Sequence, residues 1–400
     1  MQALITVEEA ESLIRQNLTT RPVETIPLAE AQGRYLRQDI VADRPMPPFD
    51  RVMMDGIAIK HAAYSAGQSH FPIAATQAAG APAIKLADER SCIEVMTGCV
   101  LPVGCDCVIP VELIDTSNHT AQVNDEAKPR RNQHIHFTGG DTAQGQTLLT
   151  SGQRLNAPEL TIAASCGATD LQVTSLPRIL ILSTGDEVVA PDETPMPHQI
   201  RRSHATALHA VITSMHLGTV TTQHVPDHPE TLHETIGNAL SSHDVLVVTG
   251  GVSRGKYDYV APVLKAHLGA PHFHGVAQRP GKPFAFWNKP HTPPVFALPG
   301  NPVSVMACAA RYLLPALIEV ASGARATAVS TLPATGHFNC PPHFTGLIPC
   351  KVNNGRIELI PISNSGNFLS LSGTHGIAEL PGKLARKSLL NEPATFYPWV

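Results

Sequence analysis

Residues 244–259, DVLVVTGGVSRGKYDY, carry an apolar run directly into two glycines, a serine, basic residues and an acid. The run VLVVT has the length and the β-branched content of a buried strand. One turn residue would end such a strand, so Gly250-Gly251 raises the question of what approaches this backbone. The N–H groups of a Gly-Gly-Val-Ser loop after a strand are able to cradle a phosphate. A phosphate site and a plain bend are therefore the two interpretations of this stretch.

The segments around this stretch alternate between strands and helices. The predicted strands are RILILST (178–184), TVTTQHV (219–225) and VLVVTGG (245–251). The predicted helices are ATALHAVITSMHLG (205–218), PETLHETIGNAL (229–240), YVAPVLKAHLG (259–269) and the buried PVSVMACAARYLLPALIEVAS (302–322). This alternation predicts a three-layer α/β/α domain with a mostly parallel sheet.

The rest of the chain predicts an elongated discontinuous domain and two small β domains. Thr6 and Glu9 form a capping-box pattern ahead of a helix at 7–18, and LAEAQGRYL (28–36) predicts one more short helix. Short β-like runs broken by glycine and proline occur both before residue 141 and after residue 327. The predicted domains are 1–44 with 142–176, then 45–141, 177–326 and 327–400.

The composition is that of a globular protein, with 400 residues, 43% hydrophobic residues and a net charge of −4. This balance favours neither a nucleic acid nor an acidic membrane surface as a partner. The N-terminal MQALITVEEAESLI has acids where a secretory signal needs basic residues, and the uncharged run 291–310 is broken by prolines. Neither the eight cysteines nor the histidines show a convincing zinc spacing. We expect a soluble cytoplasmic protein with reduced thiols.

Four loops of the α/β region follow apolar strands and are expected at one edge of the sheet, where parallel strands end. They are STGDEV (183–188), VPDHPE (225–230), TGGVSRGKYDY (249–259) and LPGNPVS (298–304). Their acids, Asp186, Glu187, Asp227 and Asp258, would repel a phosphate unless a hard cation lay between them. Magnesium held by one or two carboxylates and phosphate oxygens fits this pattern, and solvated loop charge is the alternative.

The turn RPGKPFAF (279–286) has the opposite charge. Arg279 and Lys282 flank a rigid Pro-Gly pair, which directs two cations toward one place. This arrangement suits an oxyanion or a phosphate, and an exposed basic turn is the alternative. In the β-like region 45–141, Asp50, Asp55 and Asp141 lie in segments that read as ordinary turns on local pattern alone.

Together these motifs resemble the molybdopterin molybdenumtransferases, the family of MoeA and the gephyrin E domain. The matching motifs are PPFDRVMMDGIA (47–58), MTGCVLPVGCDCV (96–108), GGD (139–141), STGDE (183–187), GGVSRGKYDY (250–259), PGKPFAF (280–286) and LPGNPVS (298–304). They extend over most of the chain between residues 45 and 304, and the segment after residue 325 matches only loosely.

The resemblance implies an elongated homodimer whose subunits have the four domains described above. Members of the family insert molybdenum from molybdate into adenylylated molybdopterin and release AMP with a divalent cation, usually magnesium. Their active site is formed by the α/β domain with the fourth domain and with the second domain of the partner subunit. The implied partners are the molybdopterin adenylyltransferase upstream and molybdoenzymes downstream.

The resemblance also assigns roles to individual residues. It implies catalytic roles for Asp55, Asp141, Glu187, Asp227 and Asp258, with Asp227 and Asp258 at the magnesium ion. It implies molybdopterin or nucleotide contacts for Thr97, Ser183, Thr184, Gly185, Asp186, Ser203, Gly250, Gly251, Val252, Ser253, Pro299, Gly300, Asn301 and Pro302. It implies molybdate contacts for Arg279, Lys282, Pro283, Ser304 and Ser365. Asp55, Thr97 and Asp141 are expected to reach the partner subunit's site.

The chain departs from the family pattern at three places. Arg202-Ser203-His204 stands where the family has Asp-Ser/Thr-Asn, Arg279 replaces a lysine, and Thr345 stands where an arginine is usual. These changes keep a second hypothesis open, a degenerate paralogue that acts as a scaffold with little insertase activity. A third is the related adenylyltransferase, but its glycine loop reads Gly-Gly-Thr-Gly and it lacks the additional domains.

Overall fold

The computed structural model describes residues 4–252, 258–324, 330–385 and 388–399. The chain forms two compact units, of which unit 1 comprises Met1–Gln38, Ser151–Pro158 and Asp170–Val400. Unit 2 comprises Asp39–Thr150 and Glu159–Thr169. The finer division into four domains stays a prediction.

Unit 1 contains a six-stranded sheet, here called the site sheet. Its strand order is Thr219–Val225, Arg178–Thr184, Val245–Thr249, Val295–Leu298, Ala285–Trp287 and Phe273–His274. The first four strands are parallel and the last two are antiparallel to their neighbours. The predicted mostly parallel sheet is therefore confirmed.

Helices cover both faces of the site sheet, because its central strands are apolar on both sides. On one face, Ile179 and Ile181 pack with the helix His204–Ser214 and the long helix Pro302–Ser322. On the other face, Leu180 and Leu182 pack with two further helices. These are Pro229–Ser242 and Val260–Leu268. The three-layer arrangement follows directly from this alternation of buried side chains.

The N-terminal helix Val7–Gln16 begins at the predicted capping box. The Thr6 N–H donates to Glu9 Oε2 at 2.8 Å, and the Glu9 N–H donates to Thr6 Oγ1 at 3.1 Å. The next predicted helix is wrong in extent, since LAEAQGRYL forms only the 3₁₀ turn Leu28–Glu30. Gly33 and the pairing of the following residues with neighbouring chain segments end that turn.

The helix Pro302–Ser322 lies in the core of unit 1. It consists of Pro302–Cys308, a π-helical turn at Ala309–Leu313 and Leu314–Ser322. Among the described residues it alone has the length and composition to cross a membrane, but 72% of its most apolar stretch is buried inside the protein. This degree of burial is typical of a helix in the core of a folded protein.

The C-terminal part of unit 1 is a barrel-like sheet. Its strand order is Gln278–Arg279, Thr345–Asn353, Arg356–Leu359, Ser330–Gly336, Leu389–Pro398 and Gly376–Pro381. The last of these strands also pairs with Thr345–Asn353, so five strands close on themselves. Gln278–Arg279 joins as a short parallel edge strand, which attaches the predicted cationic turn to the barrel.

Shorter elements complete unit 1. Val23–Pro27 pairs with Asp170–Thr174 in an antiparallel ribbon, and Val188–Val189 pairs with Ile200–Arg201. Two 3₁₀ turns, Phe368–Leu371 and Gly382–Leu384, lie in the barrel segment. The helix Ala157–Ser165 contains residues of both units.

Unit 2 is a β structure, as its short alternating runs predict. Its sheet has the order Cys107–Pro110, Gly56–Ile59, Cys92–Val95, His70–Gln77, Thr120–Val123 and Ile114–Ser117. Unit 2 also contains two short strand pairs, which are Arg51–Val52 with Ile135–His136 and Ile40–Val41 with Thr147–Leu149. Its other elements are the helix His61–Ser65 and the 3₁₀ turn Val111–Leu113.

Three cysteines of unit 2, Cys92, Cys105 and Cys107, are buried, and burial raises the pKa of each thiol to about 12. They are therefore protonated core side chains.

One buried ion pair network holds three parts of unit 1 together. Arg311, in the π-helical turn, is 3% exposed. Its Nη2 lies 2.8 Å from Glu11 Oε2 on the N-terminal helix, and its Nε lies 2.5 Å from Glu379 Oε2 on the barrel. Removing a buried partner leaves an uncompensated charge, which costs far more than losing an exposed pair.

We predict that Arg311→Met lowers the free energy of unfolding by about 3–5 kcal/mol, because Glu379 would lose its cation in a buried place. Arg15→Met is the matched control, since Arg15 also pairs with a glutamate, Glu319, but the two side chains are 30% and 23% exposed. That variant should lose at most about 1 kcal/mol. Urea denaturation followed by the fluorescence of the buried Trp287 measures both, and equal losses would contradict the prediction.

Candidate functional site

A cleft of about 810 Å³ lies within unit 1 at the carboxyl edge of the site sheet. The ends of its parallel strands, the cationic turn, the start of the long helix and the barrel segment enclose it. Its lining comprises Thr184, Gly185, Glu187, Asp227, Gly250, Gly251, Val252, Asp258, Gln278, Arg279, Pro280, Gly281, Lys282, Pro283, Pro299, Gly300, Asn301, Ser304, Pro341, Phe344 and Ser365. The loops predicted to share one edge therefore do meet there.

The double glycine forms one wall of this cleft. Gly250 and Gly251 have φ angles of 93° and 60°, which favour glycine. A Cβ atom on Gly250 would lie 2.8 Å from the Thr184 carbonyl oxygen, and one on Gly251 would lie 2.7 Å from Val260 Cγ2. The two glycines are thus required by packing against the protein itself, whatever ligand binds there. Ser253, the predicted phosphate contact of this loop, lies outside the described residues.

Carboxylates also line the cleft, so its lining carries charges of both signs. Asp186 Oδ1 accepts a hydrogen bond from the Asp227 N–H at 3.0 Å, which orients the Asp227 loop. Within the described parts of the chain, the buried Asp227 Oδ1 has no hydrogen-bond partner. Burial raises the pKa of Asp227, and the charges of Asp186 and Glu187 raise it further. A cation at this place would relieve both the repulsion and the unpaired oxygen.

The acids suit a cation that is shared with a ligand rather than one enclosed by the protein. Across the residues that the structure describes, no three His, Cys, Asp or Glu side chains are grouped to hold a metal ion. Asp227 and Asp258 nevertheless both line the cleft. One or two carboxylates with phosphate oxygens and water are the usual ligands of Mg²⁺, so these residues fit it.

The cationic wall is formed by Arg279 and Lys282, whose side chains are exposed at the cleft. Beside them lies the start of the helix Pro302–Ser322, where Asn301 and Ser304 line the cleft. Asn301 Nδ2 donates to Ser365 Oγ at 2.7 Å, so the barrel segment is tied to this helix start. Cations and a helix N-terminus both favour an anionic ligand.

Most of the residues predicted for unit 1 line this one cleft, and four described ones do not. Ser183 is 4% exposed on its strand, and Asp186 contacts the Asp227 backbone. Ser203 immediately precedes the helix His204–Ser214, and Pro302 is the first residue of its own helix. Their individual binding roles stay predictions.

Five lining residues were absent from the sequence-based prediction: Gln278, Pro280, Gly281, Pro341 and Phe344. Pro280 and Gly281 belong to the turn 279–286, so the predicted rigidity of that turn could have identified them as part of the site. Pro341 and Phe344 lie in PPHF, where the family resemblance is loose. Gln278 has no local signal, because only the barrel pairing brings it to this place.

Three predicted residues belong to unit 2, where they form two separate polar contacts. Asp55 Oδ1 accepts hydrogen bonds from the Thr97 N–H and Oγ1, both at 2.6 Å. Hydrogen bonds from the Thr97 side chain and backbone lower the pKa of Asp55. Asp141 Oδ1 lies 2.9 Å from His136 Nε2. Exposed apolar side chains adjoin these residues in the sequence, since Met53 and Met54 precede Asp55 and Met96 precedes Thr97.

The departures from the family pattern lie close to the acids and the cationic turn. Arg202 lies near His224, at the end of the strand Thr219–Val225. The pKa of His224 is lowered by burial and then by the Arg202 charge. Thr345 pairs with Gln278, next to Arg279, so a short side chain stands beside the cationic turn. Arg202 therefore lies near a histidine whose pKa the charges of Glu187 and Asp186 raise, and Thr345 lies next to the cationic turn.

Comparisons with known proteins agree with these features. Residues 5–167 match the family described as the MoeA N-terminal region (domain I and II), and residues 180–319 match the one described as the probable molybdopterin binding domain. The Molybdopterin molybdenumtransferase of Synechocystis sp. is 34% identical over 99% of this chain and 100% of the relative. Molybdopterin molybdenumtransferase 2 of Mycobacterium tuberculosis is 30% identical over 78% of each chain.

The fold comparison covers the whole chain as well. The molybdopterin biosynthesis MoeA protein of Pyrococcus horikoshii OT3 has a TM-score of 0.80 to this structure at 25% identity, over 99% of this chain and 100% of that one. Sequence and structure are thus similar from one end to the other. The chain belongs to the molybdopterin molybdenumtransferase family, which acts in the biosynthesis of the molybdenum cofactor.

Proposed function

We propose that this protein inserts molybdenum from molybdate into adenylylated molybdopterin, with magnesium-dependent release of AMP. The observation that carries the proposal is a single cleft with acids on one wall and two cations on another. Asp227 and Asp258 suit a cation shared with a phosphoanhydride, while Arg279 and Lys282 suit a tetrahedral oxyanion. The named relatives are molybdenumtransferases, which supports this substrate pair.

Residues of different charge would bind different parts of the substrates. The glycine loop and the N-terminus of the helix Pro302–Ser322 would bind phosphate oxygens through backbone N–H groups. Arg279 and Lys282 would attract and orient molybdate near the reacting centre. Asp227 and Asp258 would hold Mg²⁺, which when bound neutralises charge on the phosphoryl oxygens. Glu187, which also lines the cleft, would add a further carboxylate beside them.

We further propose that the protein acts in the cytoplasm as a homodimer. Asp55, Thr97 and Asp141 of unit 2 would then complete the cleft of the partner subunit. Met53, Met54 and Met96, which adjoin Asp55 and Thr97 in the sequence, are exposed and would supply apolar contacts at such an interface. The substrate would come from a molybdopterin adenylyltransferase, and molybdoenzymes would receive the product.

Asp227→Asn should reduce AMP release by about 10²–10³-fold, because a neutral amide can neither bind the cation nor balance its charge. The control is Asp192→Asn, which makes the same chemical change at an exposed loop position that does not line the cleft. AMP is measured after incubation with adenylylated molybdopterin, molybdate and magnesium. No release by folded wild-type protein above a no-protein control would refute the function and favour a binding-only role.

The magnesium requirement should depend on pH in a defined direction. Because the pKa of Asp227 is raised, this group takes up a proton at a higher pH than an ordinary aspartate does. A protonated carboxyl does not bind Mg²⁺, so the apparent affinity for magnesium should fall as the pH is lowered through that pKa. Titrations of AMP release with magnesium over about pH 5 to 8 measure this. An apparent affinity for magnesium that stayed the same over this range would contradict it.

The homodimer proposal predicts complementation between two inactive variants. Asp55→Asn affects the residue supplied to the partner, while Asp227→Asn affects the cleft itself. A mixed dimer retains one complete site, so reassociating equal amounts should restore about a quarter of the wild-type activity. Sedimentation verifies that both variants dimerise. No recovery after verified subunit exchange would mean that each site is formed by one chain.

A further inference from the structure

A buried side-chain network links the cationic turn to the core helix. Gln278, the residue before Arg279, is fully buried. Its Oε1 accepts a hydrogen bond from Tyr312 Oη at 2.5 Å, and its Nε2 donates to the Gly281 carbonyl oxygen at 3.2 Å. Gln278 therefore connects the π-helical turn to the middle of the turn that carries Arg279 and Lys282.

Tyr312 is held from several sides, so its hydroxyl is a rigid anchor. Its ring is 2% exposed and stacks on Phe284 at a centroid distance of 4.8 Å. The guanidinium of Arg311 lies 5.1 Å from the Tyr312 ring and 4.9 Å from the Tyr397 ring. Burial raises the pKa of Tyr312 well above its usual range, so the hydroxyl keeps its proton for the bond to Gln278.

The turn itself has no room to shift against the helix. A Cβ atom on Gly281 would lie 2.6 Å from Cys308 Sγ and 2.7 Å from Gln278 Nε2. Gln278 Nε2 also lies 3.3 Å from Cys308 Sγ. On the other side, Gln278 and Arg279 pair with Thr345 and Gly346 of the barrel. The backbone between Gln278 and Gly281 is thus fixed to two separate elements.

The two cations depend on this backbone for their direction. Within the described residues, neither Arg279 nor Lys282 forms a salt bridge or a side-chain hydrogen bond that would orient it. Both side chains are exposed at the cleft. A long, unpaired side chain samples many rotamers, so the place where its stem leaves the backbone decides where its charge is on average.

We propose that Tyr312 and Gln278 are positioning residues that set Arg279 and Lys282 for the oxyanion substrate. The inference rests on the proposed function, since it takes a molybdate-like dianion as the ligand of these cations. It assigns the long helix a role beyond packing. The Tyr312 hydroxyl, in the π-helical turn, binds Gln278, and Gln278 in turn binds the Gly281 carbonyl of the cationic turn. In this assignment neither residue touches the oxyanion, because Gln278 is fully buried behind the cleft wall that it helps to form.

Tyr312→Phe tests the proposal by removing one hydroxyl. We expect the KM for molybdate to rise about 3–10-fold, while kcat and the KM for adenylylated molybdopterin stay within about twofold, since one hydrogen bond is lost behind the anion site. Tyr397→Phe is the matched control, because Tyr397 also faces Arg311 and is 6% exposed, but no contact joins it to Gln278 among the described residues. An unchanged KM for molybdate in Tyr312→Phe would overturn the proposal.

The double variant Tyr312→Phe/Gln278→Leu separates positioning from stability. It removes both side chains of the Tyr312–Gln278 hydrogen bond, so the Gln278 Oε1 that Tyr312→Phe leaves unpaired is gone, and the Gly281 carbonyl oxygen keeps only its weak donor, Cys308 Sγ at 3.9 Å. The melting temperature should therefore lie above that of Tyr312→Phe. The KM for molybdate should stay raised, because the Gly281 carbonyl has lost its Gln278 donor. If this KM returned to the wild-type value together with the melting temperature, a purely structural role would be established. This variant also carries the test should Tyr312→Phe prove too unstable to assay.

A binding measurement distinguishes failure of this proposal from failure of the proposed function. Calorimetric titration of the dimer with molybdate, and with tungstate as a second dianion, needs no turnover. Binding that is weakened about 3–10-fold in Tyr312→Phe but not in Tyr397→Phe supports positioning even if AMP release is absent. Equal affinities in the three proteins would reject positioning, whether or not the wild type releases AMP.

Discussion

Parallel pairing of four strands is the constraint on which the rest of this structure depends. Thr219–Val225, Arg178–Thr184, Val245–Thr249 and Val295–Leu298 run in one direction, so the loops that follow them emerge at one edge. Acids, glycines and a helix start that are far apart in the chain are thereby brought to a single cleft. The close approach of Gly250 to the Thr184 carbonyl is a direct result of that pairing.

The cleft is lined by charges of both signs. The neighbouring carboxylates raise the pKa of Asp227, while Arg279 and Lys282 gather positive charge on another wall. A cation offsets the first group and an oxyanion offsets the second, so binding one ligand favours the other through the field between them. This electrostatic arrangement explains why the proposed reaction takes a magnesium ion, a phosphoanhydride and molybdate in one place.

The long core helix gives the cleft its rigidity. Arg311 pairs with glutamates from the N-terminal helix and from the barrel, and its neighbour Tyr312 reaches the cationic turn through Gln278. Arg311 and Tyr312 lie in the π-helical turn, and adjacent side chains on a helix point in different directions, so the two reach different partners. Because these contacts are buried, each is costly to break. The cationic turn is therefore held as firmly as the core to which it is bonded.

The sequence by itself determined the fold class, the common edge of the loops and most residues of the cleft. Strand and helix periods are local, and the glycine, acid and Arg-Pro-Gly-Lys motifs mark where strands end. Tertiary structure alone decided the positions of Gln278, Pro341 and Phe344, since these depend on the barrel pairing between distant segments. It also decided that LAEAQGRYL stays a single turn, because neighbouring segments compete for its backbone hydrogen bonds. Local pattern specifies which residues a loop offers, and long-range pairing specifies which of them meet.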